Sequence, residues 1–137
     1  MHFTIIEEFN GSQLQELHLL FKNEWWTQNR DLSEINELIS NSGVVIGILN
    51  PKTTELVGFA RAITDSLYRA FLFDVIVKQE YRKSGIGSLL MKSLLTHPKI
   101  VNVQRVELYC PERLIPYYKM FGFTTDVNGS ILMRFKK

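Results

Sequence analysis

Cysteine is almost missing from this chain: Cys110 stands alone among 137 residues, which excludes an internal disulfide. Long apolar runs are missing too. No stretch reaches the roughly 18 residues that a membrane-spanning helix needs, the longest candidate being the run around Val44–Leu49. The first residues, Met1-His2-Phe3-Thr4-Ile5-Ile6-Glu7-Glu8, have neither the basic nor the long apolar region of a secretory signal. A soluble protein of the reducing cytoplasm, with no membrane partner, is the expectation. Charge of one sign is also in short supply: sixteen Lys and Arg stand against fourteen Asp and Glu, a net +2. That is far from the dense basic surface that non-specific nucleic-acid binding requires, so no nucleic-acid partner is expected. The histidines, His2, His18 and His97, are dispersed without metal-ligand spacing, and no metal site is expected. Repeats, low-complexity tracts and Ser/Gly-rich linkers do not occur. Residues 1–137, with 45% hydrophobic content, therefore read as one domain able to bury a core.

What is present is periodic. Residues 2–8 read as a short strand, after which Leu14, Leu17 and Phe21 recur at helical spacing and predict a helix reaching about Trp25. Asp31 followed by Glu34 has the form of a capping box, with Leu32, Ile35 and Ile39 on one face of a second helix that Gly43 ends. Val44–Leu49 and residues 56–63 are apolar, β-branched runs joined by Asn50-Pro51-Lys52-Thr53, which predicts an antiparallel hairpin; residues 70–77 add a strand. From Gly85 the period changes, with Ile86, Leu89, Leu90 and Leu94 on one helix face. Residues 104–110 form the next strand. Pro111 suits the first turn of a helix running to about Phe121, with Gly122 as its left-handed stop. Residues 123–127 and 130–135 flank Asn128-Gly129, the signal for a tight hairpin turn. The expected order is β-α-α-β-β-β-α-β-α-β-β, an α+β fold.

Between the strand ending at Val77 and the helix beginning near Ile86, small residues stand where successive backbone N–H groups can point at an anion. Taken alone, Gly85 and Gly87 could equally relax a turn. A dinucleotide fingerprint would need a third glycine where Leu90 stands, and no P-loop Gly-Lys-Ser/Thr sequence exists. In context, Arg82-x-x-Gly85-x-Gly87 after a hydrophobic strand and before an amphipathic helix resembles the pyrophosphate-binding signature of the GNAT superfamily of acetyl-CoA-dependent N-acetyltransferases. The element order is similar to that fold over essentially the whole chain. The resemblance implies a central, mostly antiparallel, twisted mixed sheet flanked by about four helices, and acetyl-CoA as co-substrate. It also implies that the backbone of Lys83, Ser84, Gly85, Ile86, Gly87 and Ser88 wraps the pyrophosphate, with charge added by Arg82 and Lys83. Val75, Ile76 and Val77 would pair with the pantetheine arm like an added strand.

Pro116-Tyr117-Tyr118-Lys119-Met120-Phe121-Gly122-Phe123 resembles the second signature of that family and puts Tyr118 at its general-acid position. A phenol is useful there because the departing thiolate must be protonated. On the residues alone, Tyr117 and Tyr118 could be core aromatics. The attacking amine must lose a proton, to Asp74 or to a water chain; Asp74 can equally satisfy backbone donors or an internal Arg such as Arg61. Glu24 and Glu107 are weaker alternatives. Two positions depart from the family pattern: Pro111 stands where many relatives carry Asn, and Phe71 and Phe73 where some carry His or Glu. Cys110, beside the implied thioester channel, is either an acyl acceptor or an inert buried thiol.

By the same resemblance, the connection between the first two helices borders the acceptor site, with Glu24, Trp25, Trp26 and Arg30 as substrate-binding candidates. Neighbouring helical positions diverge by about 100°, so one indole can pack inward while the other lines the cleft. A cationic amine would be oriented by Glu24 and Asp74, an acceptor carrying carboxylate or phosphate by Arg30 and Arg61. The leading expectation is transfer of acetyl to a primary amine of a small molecule by direct attack in a ternary complex. A protein or peptide acceptor and a non-catalytic acyl-CoA sensor are the alternatives. The closing hairpin and the exposed sheet edges offer a surface for a homodimer.

Overall fold

Five strands in the order β1-β2-β3-β4-β5 form the central sheet of the structure, a computed structural model describing residues 2–137. β1 (Thr4–Ile6), β2 (Val44–Leu49), β3 (Leu56–Thr64) and β4 (Arg69–Val77) are antiparallel neighbours. β5 (Arg105–Glu107) joins β4 in parallel, through a crossover carrying the helix Ile86–Leu95. Every residue of β2 is buried, as its unbroken apolar run requires, because both faces of the sheet are covered. On one face Ile46, Ile48 and Leu72 pack with Leu90 and Leu94 of that crossover helix. On the other, Phe59 and Ile76 meet Leu17, Phe21 and Ile35 from the first two helices, α1 (Gly11–Lys22) and α2 (Leu32–Asn41). The crossover helix is α3, and α4 (Ile115–Lys119) follows a 3-10 turn at Glu112–Leu114.

Local chemistry sets the helix starts. Asn10 Oδ1 accepts the Gln13 N–H at 2.8 Å while Gln13 Oε1 accepts the Asn10 N–H at 2.9 Å, a reciprocal cap for α1. At α2 the Asp31 N–H donates to Glu34 at 2.9 Å, as the spacing predicts. α1 stops at Lys22, short of Trp25, because the chain then turns: buried Thr27 donates its hydroxyl to the Phe21 carbonyl at 2.7 Å. This bond fixes the segment carrying Glu24 and Arg30 against the end of α1.

The last third of the chain differs from expectation. β5 covers only Arg105–Glu107, and α4 is shorter than the helix expected over 111–121. The Asn128-Gly129 turn forms, with φ values of 59° and 77° and a 3.2 Å bond from the Ser130 N–H to the Val127 carbonyl. Its flanks, residues 123–127 and 130–135, join no ladder, so the closing strands are not formed. A turn needs only its own residues, whereas a strand needs an edge of matching length, and β5 offers three residues. Ile131, Leu132, Met133 and Phe135 are consequently exposed.

Candidate active site

β4 is split open where the site lies. It pairs with β5 only over Arg69–Phe71, so from Leu72 to Val77 the edge facing β5 carries no strand. On its other side Phe59 pairs with Ile76 and Arg61 with Phe73, so Asp74 and Val75 together oppose Ala60. This is a bulge, and Asp74 takes it up with φ of 55°. The extra residue turns Asp74 toward the α1–α2 face, where its side chain is 5% exposed. One oxygen accepts from Arg30 Nη1 and from Arg61 Nε, each at 2.7 Å; the other accepts from Arg30 Nη2 at 3.1 Å. Arg30 also lies 4.8 Å over the Phe21 ring and Arg61 5.0 Å over the Phe73 ring. Of the two roles the sequence leaves open for Asp74, the geometry forms the ion pair. Phe71 stacks on Phe73 at 5.0 Å and Tyr109 sits 5.8 Å from Phe71, giving this end of the cleft an aromatic wall.

The loop from β4 to α3 is anchored at its root. The Tyr81 hydroxyl donates to Glu55 at 3.1 Å and accepts from the buried Asn50 amide at 2.8 Å, while Lys78 forms an ion pair with Glu55. The Lys78 bond holds the Glu55 carboxyl below its ordinary range. Past this anchor the backbone winds through positive φ at Lys83 (67°) and Gly85 (89°). Among the described residues, the N–H groups of Lys83, Ser84, Gly85, Ile86, Gly87 and Ser88 reach no backbone or side-chain acceptor outside α3. Free amides on such a winding backbone, at the start of a helix with no side-chain cap, form a nest for an oxyanion. The residues present therefore fit a diphosphate. A Cβ at Gly85 would meet nothing, so its need is conformational; at Gly87 a Cβ would collide with the Tyr117 hydroxyl.

That second contact escaped the sequence reading. Tyr117 belongs beside the loop, while its neighbour Tyr118 packs into the α3 core with Phe123 at 6.1 Å. Burial, with smaller contributions from Tyr117 and Cys110, pushes the Tyr118 phenol up to about 12. Burial also raises the Cys110 thiol, which disfavours the thiolate that an acyl acceptor would use.

Glu24 and Arg30, both from the α1–α2 connection, reach different parts of the site: Glu24 accepts from Arg82 at 2.8 Å and Arg30 pairs with Asp74. The expectation that one indole packs inward is corrected. Trp25 is 70% and Trp26 44% exposed, in edge contact with each other at 5.8 Å, because the segment turns away from the core after Lys22. A cleft of about 310 Å³ runs between the end of α1 and the end of β4, lined by Leu20, Asn23, Glu24, Ile76, Val77 and Arg82 among others. Among the described residues, no helix is long and apolar enough to cross a membrane.

The model of the acetyltransferase (GNAT) family matches residues 11–123. The chain is 28% identical over 118 residues to the uncharacterized N-acetyltransferase ycf52 of Porphyra purpurea, covering 85% of this chain and 67% of that protein. It is 25% identical over 127 residues to GCN5-related N-acetyltransferase 1, chloroplastic, of Arabidopsis thaliana, covering 93% of this chain and 64% of that one. The chain thus spans about two thirds of the length of these curated relatives. In fold it is similar to a GNAT-family protein of Xanthomonas campestris, with a TM-score of 0.82, 24% identity, and coverage of 99% and 94% of the two chains.

Proposed function

The chain belongs to the acetyltransferase (GNAT) family and is an acyltransferase; from that premise we propose that it moves acetyl from acetyl-CoA to a primary amine of a small molecule, by direct attack in a ternary complex. The observation that carries the reading is the row of free N–H groups from Lys83 to Ser88, placed where a strand edge lies open beside it. Bound there, acetyl-CoA would supply the activated acetyl thioester. The loop amides, with Arg82 and Lys83, hold its diphosphate. The unpaired edge of Val75, Ile76 and Val77 aligns its pantetheine arm as a strand would. The Val75 N–H at the bulge polarises the thioester carbonyl. Tyr118, kept protonated by burial, delivers a proton to the departing sulfur. Since both Asp74 oxygens already accept guanidinium N–H groups, water carries away the proton of the amine, and Asp74 positions Arg30 and Arg61.

The acceptor enters from the α1–α2 face, past the Phe71, Phe73 and Tyr109 wall, with Trp25 and Trp26 exposed on the connection bordering it. A reducing, cytoplasmic setting belongs to the same proposal and is supported by the single half-buried thiol of Cys110. A panel of primary amines assayed with acetyl-CoA for thiol release tests the reading. Amine-dependent release is expected; CoA binding with no release above background would favour the sensor.

A homodimer completes the proposal. The segment after Gly129 carries exposed Ile131, Met133 and Phe135 at alternate positions, and its Arg134 lies 5.8 Å over Tyr109, just beyond β5. β5 ends the sheet with an open edge. Each copy thus presents an exposed apolar segment beside an open sheet edge, and two copies can cover both by a two-fold exchange of these segments.

A further inference from the structure

Arg82 already holds a carboxylate and a carbonyl. Its Nη2 donates to Glu24 at 2.8 Å, across 58 positions of sequence, while its Nε bonds the Val77 carbonyl at 3.3 Å. Glu24 is the more enclosed partner, with a side chain 15% exposed against 53% for Arg82. Both line the 310 Å³ cleft between α1 and β4. The other cation of that cleft, Lys78, is already engaged by Glu55 and, at 3.8 Å, by Glu80. Lys83, also in the loop, makes no ion pair among the described residues. Among the described residues, the carboxylate that pairs with Arg82 is therefore Glu24, fixed there by the buried Thr27 bond to α1, as Glu55 pairs with Lys78.

We propose that Glu24 is an exchanged counter-ion: it holds Arg82 in the free protein and gives it up to the diphosphate of coenzyme A. The inference rests on the diphosphate reading of the loop and deepens it. Two anions cannot share one guanidinium edge without repulsion, so Glu24 opposes entry of the phosphates until Arg82 turns to them. Once Arg82 has turned, an enclosed carboxylate on the acceptor-bordering segment is left without its cation, and a primary ammonium is the chemical class that replaces it. Cofactor entry thus prepares the acceptor side, and Glu24 acts as a positioning residue for both.

Calorimetric titration of coenzyme A into the wild type, Glu24→Gln, Arg82→Gln and the double variant tests this. Glu24→Gln should bind coenzyme A roughly two- to fivefold more tightly than the wild type, the scale of one partly exposed ion pair. The gain should vanish when Arg82 is already Gln. A merely structural Glu24 would give no gain, or a loss, in both backgrounds, and either result overturns the exchange. Glu24→Ala gives the same comparison without the amide, should Gln itself bond Arg82. If neither the wild type nor Glu24→Gln binds coenzyme A at all, the diphosphate reading falls with it, a result distinct from equal binding by both.

Discussion

Burial pushes the Tyr118 phenol up to about 12, chiefly by desolvation. The shift has a direction that matters: a raised value keeps the proton on the oxygen, which suits an acid and disqualifies a base. Turnover measured against pH should show no alkaline loss traceable to this phenol below its ordinary 10.0. Tyr118→Phe should lower turnover by about 10²- to 10⁴-fold, the usual weight of a positioned proton donor, with coenzyme A affinity nearly unchanged. Unchanged turnover, in a thiol-release assay, would remove Tyr118 from the mechanism. Asp74 is held by tertiary partners instead. Its two neighbours in the ion pair come from the α1–α2 connection and from β3, so its chemistry is fixed by groups distant in sequence.

At the scale of elements, the site is a meeting of three helix or strand ends: the bulged end of β4, the uncapped start of α3, and the short α4. The contact of Gly87 with Tyr117 ties α4 to the start of α3. Alanine is the better helix former by about 1 kcal/mol, yet Gly87→Ala should lower the melting temperature because its Cβ meets the hydroxyl. Adding Tyr117→Phe should restore part of the loss, a non-additivity read by thermal denaturation of the two single variants and the double. Additive effects would mean that the two residues do not touch. Gly85 answers to a different cause, its φ of 89° in open space, so no second substitution would relieve it.

For the molecule as a whole, the exposed apolar groups gather beside the sheet edge. The chain mass of 15.9 kDa should sediment as about twice that value if the exchanged dimer forms. Ile131→Lys with Met133→Lys places charge on the exposed segment and should return the protein to a monomer with unchanged far-UV circular dichroism and a melting temperature that no longer depends on protein concentration. A wild type that sediments as a monomer at all accessible concentrations would overturn the dimer.

The sequence alone determined the elements whose cause is local: the reciprocal cap at Asn10 aside, the capping box at Asp31, the apolar runs of β2 to β4, the face of α3 and the Asn128-Gly129 turn were all legible in spacing and residue type. So was the loop, because glycines between a strand and a helix leave amides free wherever the chain goes next. The pairing of Glu24 with Arg82, the enclosure of Asp74 by Arg30 and Arg61, and the seat of Tyr117 against Gly87 were decided by tertiary structure. Each joins segments 13 to 58 positions apart, and an ion pair leaves no periodic trace in the chain. The closing strands failed for the same reason: a strand exists only against an edge, and no window of sequence contains both.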